Sequence, residues 1–169
     1  GVPGTAAPIR LAFLNAAGAK TGKLLPSGFA SETIDGIPLT LIDAAMPLVI
    51  INAGAMGKNG HERPAELDAD LQFMRWLEVI RREAGRRMGL GDVSNLVIPK
   101  PVLIAPAANG GTLAARYFMP HNCHKALAVT GAVGLATAIA TPGTRAAALV
   151  AEQTPPRRIV IEHPSGQME

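Results

Sequence analysis

The sequence is short of the residues that form disulfides and aromatic cores. Its 169 residues include one Cys, one Trp, one Tyr and four Phe, and 17% are charged. A single cysteine, Cys123, excludes an internal disulfide, and nothing at the start resembles a basic region followed by an apolar signal core. We therefore expect a cytoplasmic protein.

Long hydrophobic runs and a strong net charge are also missing. The longest apolar stretch, 126–140, is interrupted by Thr and Gly and is shorter than the roughly 20 residues that cross a bilayer. The formal net charge is only +3, and Lys and Arg are scattered except around 81–87. We expect no membrane and no nucleic-acid partner.

Small apolar residues and turn formers are abundant instead. Hydrophobic residues make up 48% of the chain, with 18 Gly and 14 Pro. This length and composition are sufficient for one hydrophobic core rich in small aliphatic side chains and for many turns. The fold class that we predict is α+β.

Aliphatic runs bounded by turn residues predict strands. The predicted strands are 8–14, 37–42, 48–51, 101–106, 112–118 and 158–162. The segment 15–28, rich in Gly, Lys and small residues, is interpreted as a linker or hinge loop.

Two longer helices of different character are predicted. In 67–88 the apolar residues recur at steps of three and four, with acidic residues early, arginines late and Gly89 beyond, so this is an outer amphipathic helix. In 127–140 small or apolar residues occupy every side, as expected of a central helix around which a sheet wraps. A shorter helix is predicted at 144–150.

The start of the apolar helix is the main candidate site. The polar segment 121–125 precedes it, and Thr130 and Gly131 lie in its first turn. A helix start offers free N–H groups and a partial positive charge, which suit a carboxylate or a phosphate. The alternative is that Thr130 and Gly131 only allow close helix packing.

Two other chemistries use the same polar segment. His121, Cys123 and His124 are zinc-ligand types, but adjacent residues rarely converge on one ion, and no second ligand pair stands elsewhere. Cys123 would act as a nucleophile only if His124 or Lys125 lowered its pKa. A buried inert thiol is the alternative for Cys123.

Several segments together resemble a known family of tautomerases and isomerases, which includes 4-oxalomesaconate tautomerase and 2-methylaconitate cis-trans isomerase. The resemblance extends along nearly all of the chain, and 56–62 and 117–121 are more similar to the oxalomesaconate branch. The segments that carry it are VPGTAAPI at 2–9, GKLLPSG at 22–28, LIDAAMP at 41–47, HKALAVTGA at 124–132 and HPSG at 163–166.

The resemblance implies a fold similar to diaminopimelate epimerase, with a mostly antiparallel sheet wrapped around the central apolar helix. In that fold two related domains each wrap a sheet around a central helix, and the substrate lies between them. Residues 1–28 would be the end of the first domain and the linker, and residues 29–169 would be most of the second, substrate-binding domain. The catalytic Lys and Cys of the family would lie in the part of the first domain that this chain lacks.

The resemblance also implies the site residues. The helix start holds substrate carboxylates in similar proteins, which maps onto Thr130 and Gly131, and Ser165 lies in the matching His-Pro-Ser-Gly turn. His124 and Lys125 complete the predicted substrate-binding set. The epimerases have their second catalytic cysteine at the position of Ala128, so a racemisation by two thiols is not expected. No metal or organic cofactor is implied.

Two functions are compatible with the sequence. The first is a fragment of an isomerase that catalyses a 1,3-proton shift in a 4-oxalomesaconate-like polycarboxylate, by keto-enol tautomerisation or double-bond migration, as in the degradation of gallate or protocatechuate. The fragment alone would be inactive, and its exposed interdomain surface would favour homo-oligomers. The second is a non-catalytic anion-binding or assembly module of the same fold.

Overall fold

One mixed sheet with helices on both faces forms the body of the protein. The computed structural model describes residues 7, 9–150 and 158–169, and the predicted α+β class is confirmed. No helix in these ranges is both long and apolar enough to span a bilayer. The strands are β1 (Glu32–Ile34), β2 (Ile37–Ala44), β3 (Met46–Asn52), β4 (Lys100–Ala105), β5 (Leu113–Tyr117), β6 (Ile161–His163) and β7 (Gly166–Met168). The helices are α1 (Pro64–Ala69), α2 (Leu71–Arg87), α3 (Val129–Ala140) and α4 (Arg145–Leu149), with a 3-10 turn at Ala53–Met56.

The order of the strands in the sheet follows the order in the chain, from β1 to β7. Neighbouring strands are antiparallel except for the pairs β3–β4 and β5–β6, which are parallel. A parallel pair needs a long crossover connection. Helices α1 and α2 lie in the first crossover, and α3 and α4 lie in the second.

Alternating side chains divide the core into two layers. In β3, Val49 and Ile51 pack in the cluster that contains the buried face of α2. Leu48 and Ile50, the intervening residues, pack in the cluster that contains α3 and α4. Because successive side chains of a strand point to opposite faces, the aliphatic strands bury both faces at once.

The outer amphipathic helix is present but is broken near its start. Phe73, Leu77 and Ile80 bury its apolar face, while Asp70 ends α1 and begins α2. Asp70 leaves the helical conformation (φ −82°, ψ 83°), and its carboxylate accepts a hydrogen bond from Phe73 N at 3.0 Å. The single helix predicted for 67–88 is therefore wrong at this point, because an aspartate cap competes with the continuous helix.

The apolar helix α3 packs on the sheet through two glycines. A Cβ on Gly131 would lie 2.5 Å from the Tyr117 ring, and one on Gly134 would lie 2.5 Å from Leu48 Cδ1. Glycine is thus required for the close approach of helix and sheet. The opposite side of α3 is only partly covered: Val129 is 42% exposed, and the following residues on that side are half-buried.

The two ends of the chain depart from the predicted strands. Residues 9–14 form no strand, because no neighbour pairs with them in the described ranges, and Pro8 lies outside these ranges. The strand predicted at 158–162 is displaced to β6. Strand β7 was not predicted, because its Gly-Gln-Met sequence lacks an aliphatic pattern and its pairing with β6 defines it.

The predicted loop 15–28 contains no helix or ladder strand, only one bridge between Ala17 and Ala44. It is fastened to the end of β2 by Asp43, whose Oδ2 accepts from Lys20 N and Thr21 N, both at 2.7 Å. Asp43 N in turn donates to Leu24 O at 2.9 Å. The loop therefore packs on the sheet, and the division at residue 28 stays a prediction.

Candidate functional site at the start of α3

The first turn of α3 presents backbone N–H groups that have no acceptor among the described residues. Ala128 precedes the helix in an extended conformation, and no side chain caps it. Ala132 N donates to Ala128 O at 2.9 Å, but the N–H groups of Val129, Thr130 and Gly131 donate to nothing within the described part of the chain. Such donors, together with the helix dipole, favour an anion.

The turn between β6 and β7 is brought to the residues that precede this helix. The hydroxyl of Ser165 donates to the carbonyl of Lys125, 40 residues away in the chain. Ser165 N donates to His163 Nδ1 at 3.2 Å. An exposed hydroxyl-bearing turn and an exposed lysine therefore lie side by side, close in the chain to the start of α3.

Tyr117 fixes the positions of both His124 and Gly131. Tyr117 O accepts from His124 N at 2.7 Å, and the two rings meet edge-on with centroids 6.2 Å apart. His124 Nδ1 accepts from Ala126 N at 2.9 Å, so the neutral ring carries its proton on Nε2. Burial raises the pKa of Tyr117 to about 12, so its hydroxyl stays protonated at neutral pH.

The packing alternative for Gly131 is supported by this geometry. The close contact with the Tyr117 ring explains why position 131 is a glycine. This explanation holds whether or not the backbone N–H group of Gly131 binds an anion. Thr130 is half-buried and its hydroxyl makes no recorded hydrogen bond with a described residue. The five predicted residues are therefore near the helix start or linked to it, but their binding role stays a prediction.

Glu162 holds the strand that leads into the Ser165 turn. Its carboxylate accepts from Ala108 N at 2.8 Å, Asn109 N at 2.6 Å and Gly111 N at 2.9 Å. Burial would raise its pKa, but these N–H groups outweigh burial and lower the pKa. The turn is thus tied to the β4–β5 loop.

Sequence reasoning missed Tyr117 as a neighbour of the site, and it named His163 only as part of the His-Pro-Ser-Gly turn. Burial lowers the pKa of His163, and the nearby Arg116 guanidinium lowers it further, so a neutral imidazole is favoured at pH 7. Both residues reach the site through strand pairing and helix packing. No local spacing signals such long-range contacts.

The geometry around Cys123 favours the alternative of a buried, inert thiol. It is 1% exposed, and burial, with a smaller contribution from Asp68, raises its thiol pKa to about 12. A thiolate, which a nucleophile or a zinc ligand needs, is therefore disfavoured. Among the described residues, no three His, Cys, Asp or Glu side chains converge as a metal site requires.

The family model described as PrpF protein matches residues 1–169. The chain belongs to the PrpF family. This PrpF chain is 55% identical over 173 residues to the Escherichia coli (strain K12) protein YbhH, provisionally named an isomerase, and the match covers 100% of the chain and 48% of YbhH. It is 43% identical over 169 residues to the (4E)-oxalomesaconate Delta-isomerase of Novosphingobium sp. (strain KA1), covering 99% of the chain and 47% of that protein.

A protein of known crystal structure has the same fold. The crystal structure of methylitaconate-delta-isomerase superposes with a TM-score of 0.85 at 21% identity, covering 91% of this PrpF chain and 46% of that one. This match confirms the predicted fold. The family model and the relatives named as oxalomesaconate and 2-methyl-aconitate isomerases confirm the resemblance to that family. The chain spans about half the length of the curated relatives that it matches.

Proposed function

We propose that the protein to which this chain belongs is an isomerase of small polycarboxylates, and that it catalyses a 1,3-proton shift in a 4-oxalomesaconate-like acid. The observation that carries the proposal is the set of unpartnered N–H groups at the start of α3, next in the chain to the Lys125–Ser165 contact. Membership of the PrpF family and the names of the relatives support the reaction class.

The proposed site residues bind and orient the substrate. The N–H groups of Thr130 and Gly131 hold one carboxylate, while the Lys125 ammonium holds a second one. The Ser165 hydroxyl has a single proton, so on binding it turns from the Lys125 carbonyl to donate to this second carboxylate. His124 stands beside them as a further hydrogen-bond donor through Nε2.

The reaction needs one proton to leave and one to return. A base removes a proton from a carbon next to the carbonyl or the double bond, and the electron pair moves into an enolate. The proton is then delivered to the other end of the three-atom system, so atoms and electrons balance. Cationic and N–H groups that contact the enolate lower the barrier electrostatically. In this proposal the base belongs to the first domain, with its expected Lys and Cys.

This chain would supply one wall of the cleft, from residues 29–169, with residues 1–28 leading to the other domain. An apolar groove of about 340 Å³ runs along α3, and the exposed side chains of Ile9, Leu11, Phe13 and Val129 line it. This exposed apolar surface supports the proposal that another part of the protein packs against the groove. We infer that the rest of the polypeptide packs there. The isolated chain should be inactive and should self-associate through this groove, which size-exclusion chromatography with light scattering would measure.

The test uses the full-length protein with 4-oxalomesaconate, followed by absorbance and by deuterium uptake from D₂O. Lys125→Met and Ser165→Ala should raise KM by roughly tenfold each, as loss of a charged contact does. Lys23→Met, at another exposed lysine, should leave KM unchanged.

Two outcomes would redirect the proposal. Turnover without solvent deuterium in the product would exclude a proton shift through an exchanging base. Binding of the acid without any turnover would favour the alternative of a non-catalytic anion-binding module.

A further inference from the structure

A buried arginine on β5 has few partners. Arg116 is 7% exposed, and its side chain points to the face of the sheet opposite α3, since its neighbours Ala115 and Tyr117 pack with α3. Its Nε donates to Glu62 O at 2.7 Å and its Nη1 to Ala115 O at 3.0 Å. A guanidinium has five N–H donors, so three of them lack a recorded partner among the described residues.

Arg81, the other deeply buried arginine, uses all five of its N–H donors in hydrogen bonds. Arg81 donates twice to the Glu78 carboxylate and three times to backbone carbonyls. Arg81 thus has five hydrogen bonds and a counter-ion at one buried site. Arg116 has two hydrogen bonds, both to neutral carbonyls.

No carboxylate of the described residues lies within 4 Å of the Arg116 guanidinium. The two nearby acidic side chains are engaged elsewhere. Glu62 accepts from Asn59 N at 2.7 Å and Gly60 N at 2.9 Å, and Glu162 accepts from the β4–β5 loop. A buried cation without a counter-ion is costly, so an anion that reaches it would bind favourably.

Arg116 borders an open cleft that could admit such an anion. The cleft has a volume of about 520 Å³, and its polar lining includes His61, Asn109, Arg116, His163 and Gln167. The Glu162 carboxylate also lines it, and that carboxylate already accepts from three backbone N–H groups of the β4–β5 loop. Imidazole, amide and guanidinium groups all donate hydrogen bonds to oxyanions. The cleft also borders the β6–β7 turn, through the two residues that flank Ser165.

We propose that this cleft is a second anion site, which binds a small carboxylate- or phosphate-bearing ligand through the unpartnered N–H groups of Arg116. Asn109 and Gln167 orient the anion through their second amide N–H groups, because the first ones donate to Glu162 Oε2 at 3.3 Å and to Asn109 O at 3.0 Å. The site is independent of the isomerase proposal, because none of the residues assigned to substrate binding lines it.

The test is calorimetric titration of the 169-residue chain with inorganic phosphate and, separately, malonate, against sodium chloride of equal ionic strength. Binding should be weakened roughly tenfold or more by Arg116→Gln, and Arg116→Lys, which keeps the charge but loses the planar fork, should also bind more weakly. Arg75→Gln, at an exposed arginine of α2, is the control and should bind like the wild type. Phosphate binding alone or malonate binding alone would identify the oxyanion.

A wild-type measurement keeps the proposal testable if the Arg116 variants do not fold. In ¹⁵N NMR, titration should shift the side-chain signals of Arg116, Asn109 and Gln167. The proposal is overturned if neither anion binds above the chloride control, if binding is unchanged in Arg116→Gln, or if those signals do not move.

Discussion

Replacing Gly131 by alanine tests whether the start of α3 is held against the sheet as tightly as described. The new Cβ would lie 2.5, 2.9 and 3.2 Å from three ring carbons of Tyr117, against about 3.5 Å for an ordinary carbon contact. Overpacking of this kind costs about 1–3 kcal/mol, and the higher helix propensity of Ala returns about 1 kcal/mol. Tyr117 is 1% exposed and has little room to move, so we expect a net loss of about 1–2 kcal/mol.

Thermal and urea unfolding of the 169-residue chain would measure this loss. For a chain of this size, about 1–2 kcal/mol lowers Tm by roughly 3–6 °C. Gly54→Ala is the matched control, because a Cβ there meets no atom within 4 Å, and it should be neutral or slightly stabilising. If Gly131→Ala were stabilised to the same degree as Gly54→Ala, the close contact with Tyr117 would be refuted.

Three further predictions concern buried charged groups and the thiol. Glu162→Gln should destabilise the chain by about 2 kcal/mol at pH 7. Since the folded pKa of Glu162 is lowered, the stability that Glu162 contributes is present above the unfolded pKa of about 4.3 and is lost as pH falls through the folded pKa. The unfolding curves of wild type and variant should therefore converge in acid. Arg81→Met should cost about 3–5 kcal/mol in urea unfolding, whereas Arg82→Met, which removes a 52% exposed partner of the same Glu78, should cost below about 1 kcal/mol; equal costs would contradict the burial argument. Iodoacetamide at pH 8 should alkylate Cys123 roughly a thousandfold more slowly in the folded chain than in urea. The reason is that burial raises the thiol pKa of Cys123 to about 12, and the thiolate is the reacting form. Equal rates would show that the thiol is accessible.

Local patterns predicted the elements whose residues carry their own signal. The strands β2 to β5 and the helices α3 and α4 were all identified from aliphatic runs, turn residues and Gly or Pro stops. The break at Asp70 was missed because its carboxylate was read as a favourable charge near a helix start, without allowing for a new cap. The aliphatic segment 9–14 was assigned as a strand on composition, but a strand exists only where a neighbour pairs with it.

The candidate site was predicted in part. Thr130, Gly131, His124 and Lys125 are close in sequence, so one helix start was enough to group them, and the family resemblance added Ser165. Tyr117 and Arg116 were not found, because adjacent residues of one strand point to opposite faces of the sheet. Only the three-dimensional register shows that one supports α3 and the other lines a separate cleft.

The two parallel strand pairs explain why helices cover both faces of the sheet. Strand order advances in one direction from β3 to β6, while the hairpin between β4 and β5 reverses the strand direction. Consider two crossovers of the same handedness that advance in the same direction across the sheet. If the strands that they join run in opposite directions, the two crossovers must pass over opposite faces. Since α2 and α3 do lie on opposite faces, both crossovers have the same hand, in keeping with the strong preference for right-handed connections. The loop that Glu162 holds is therefore the place where the chain changes sides, and a protein of this topology cannot place both helical layers on one face without a left-handed crossover.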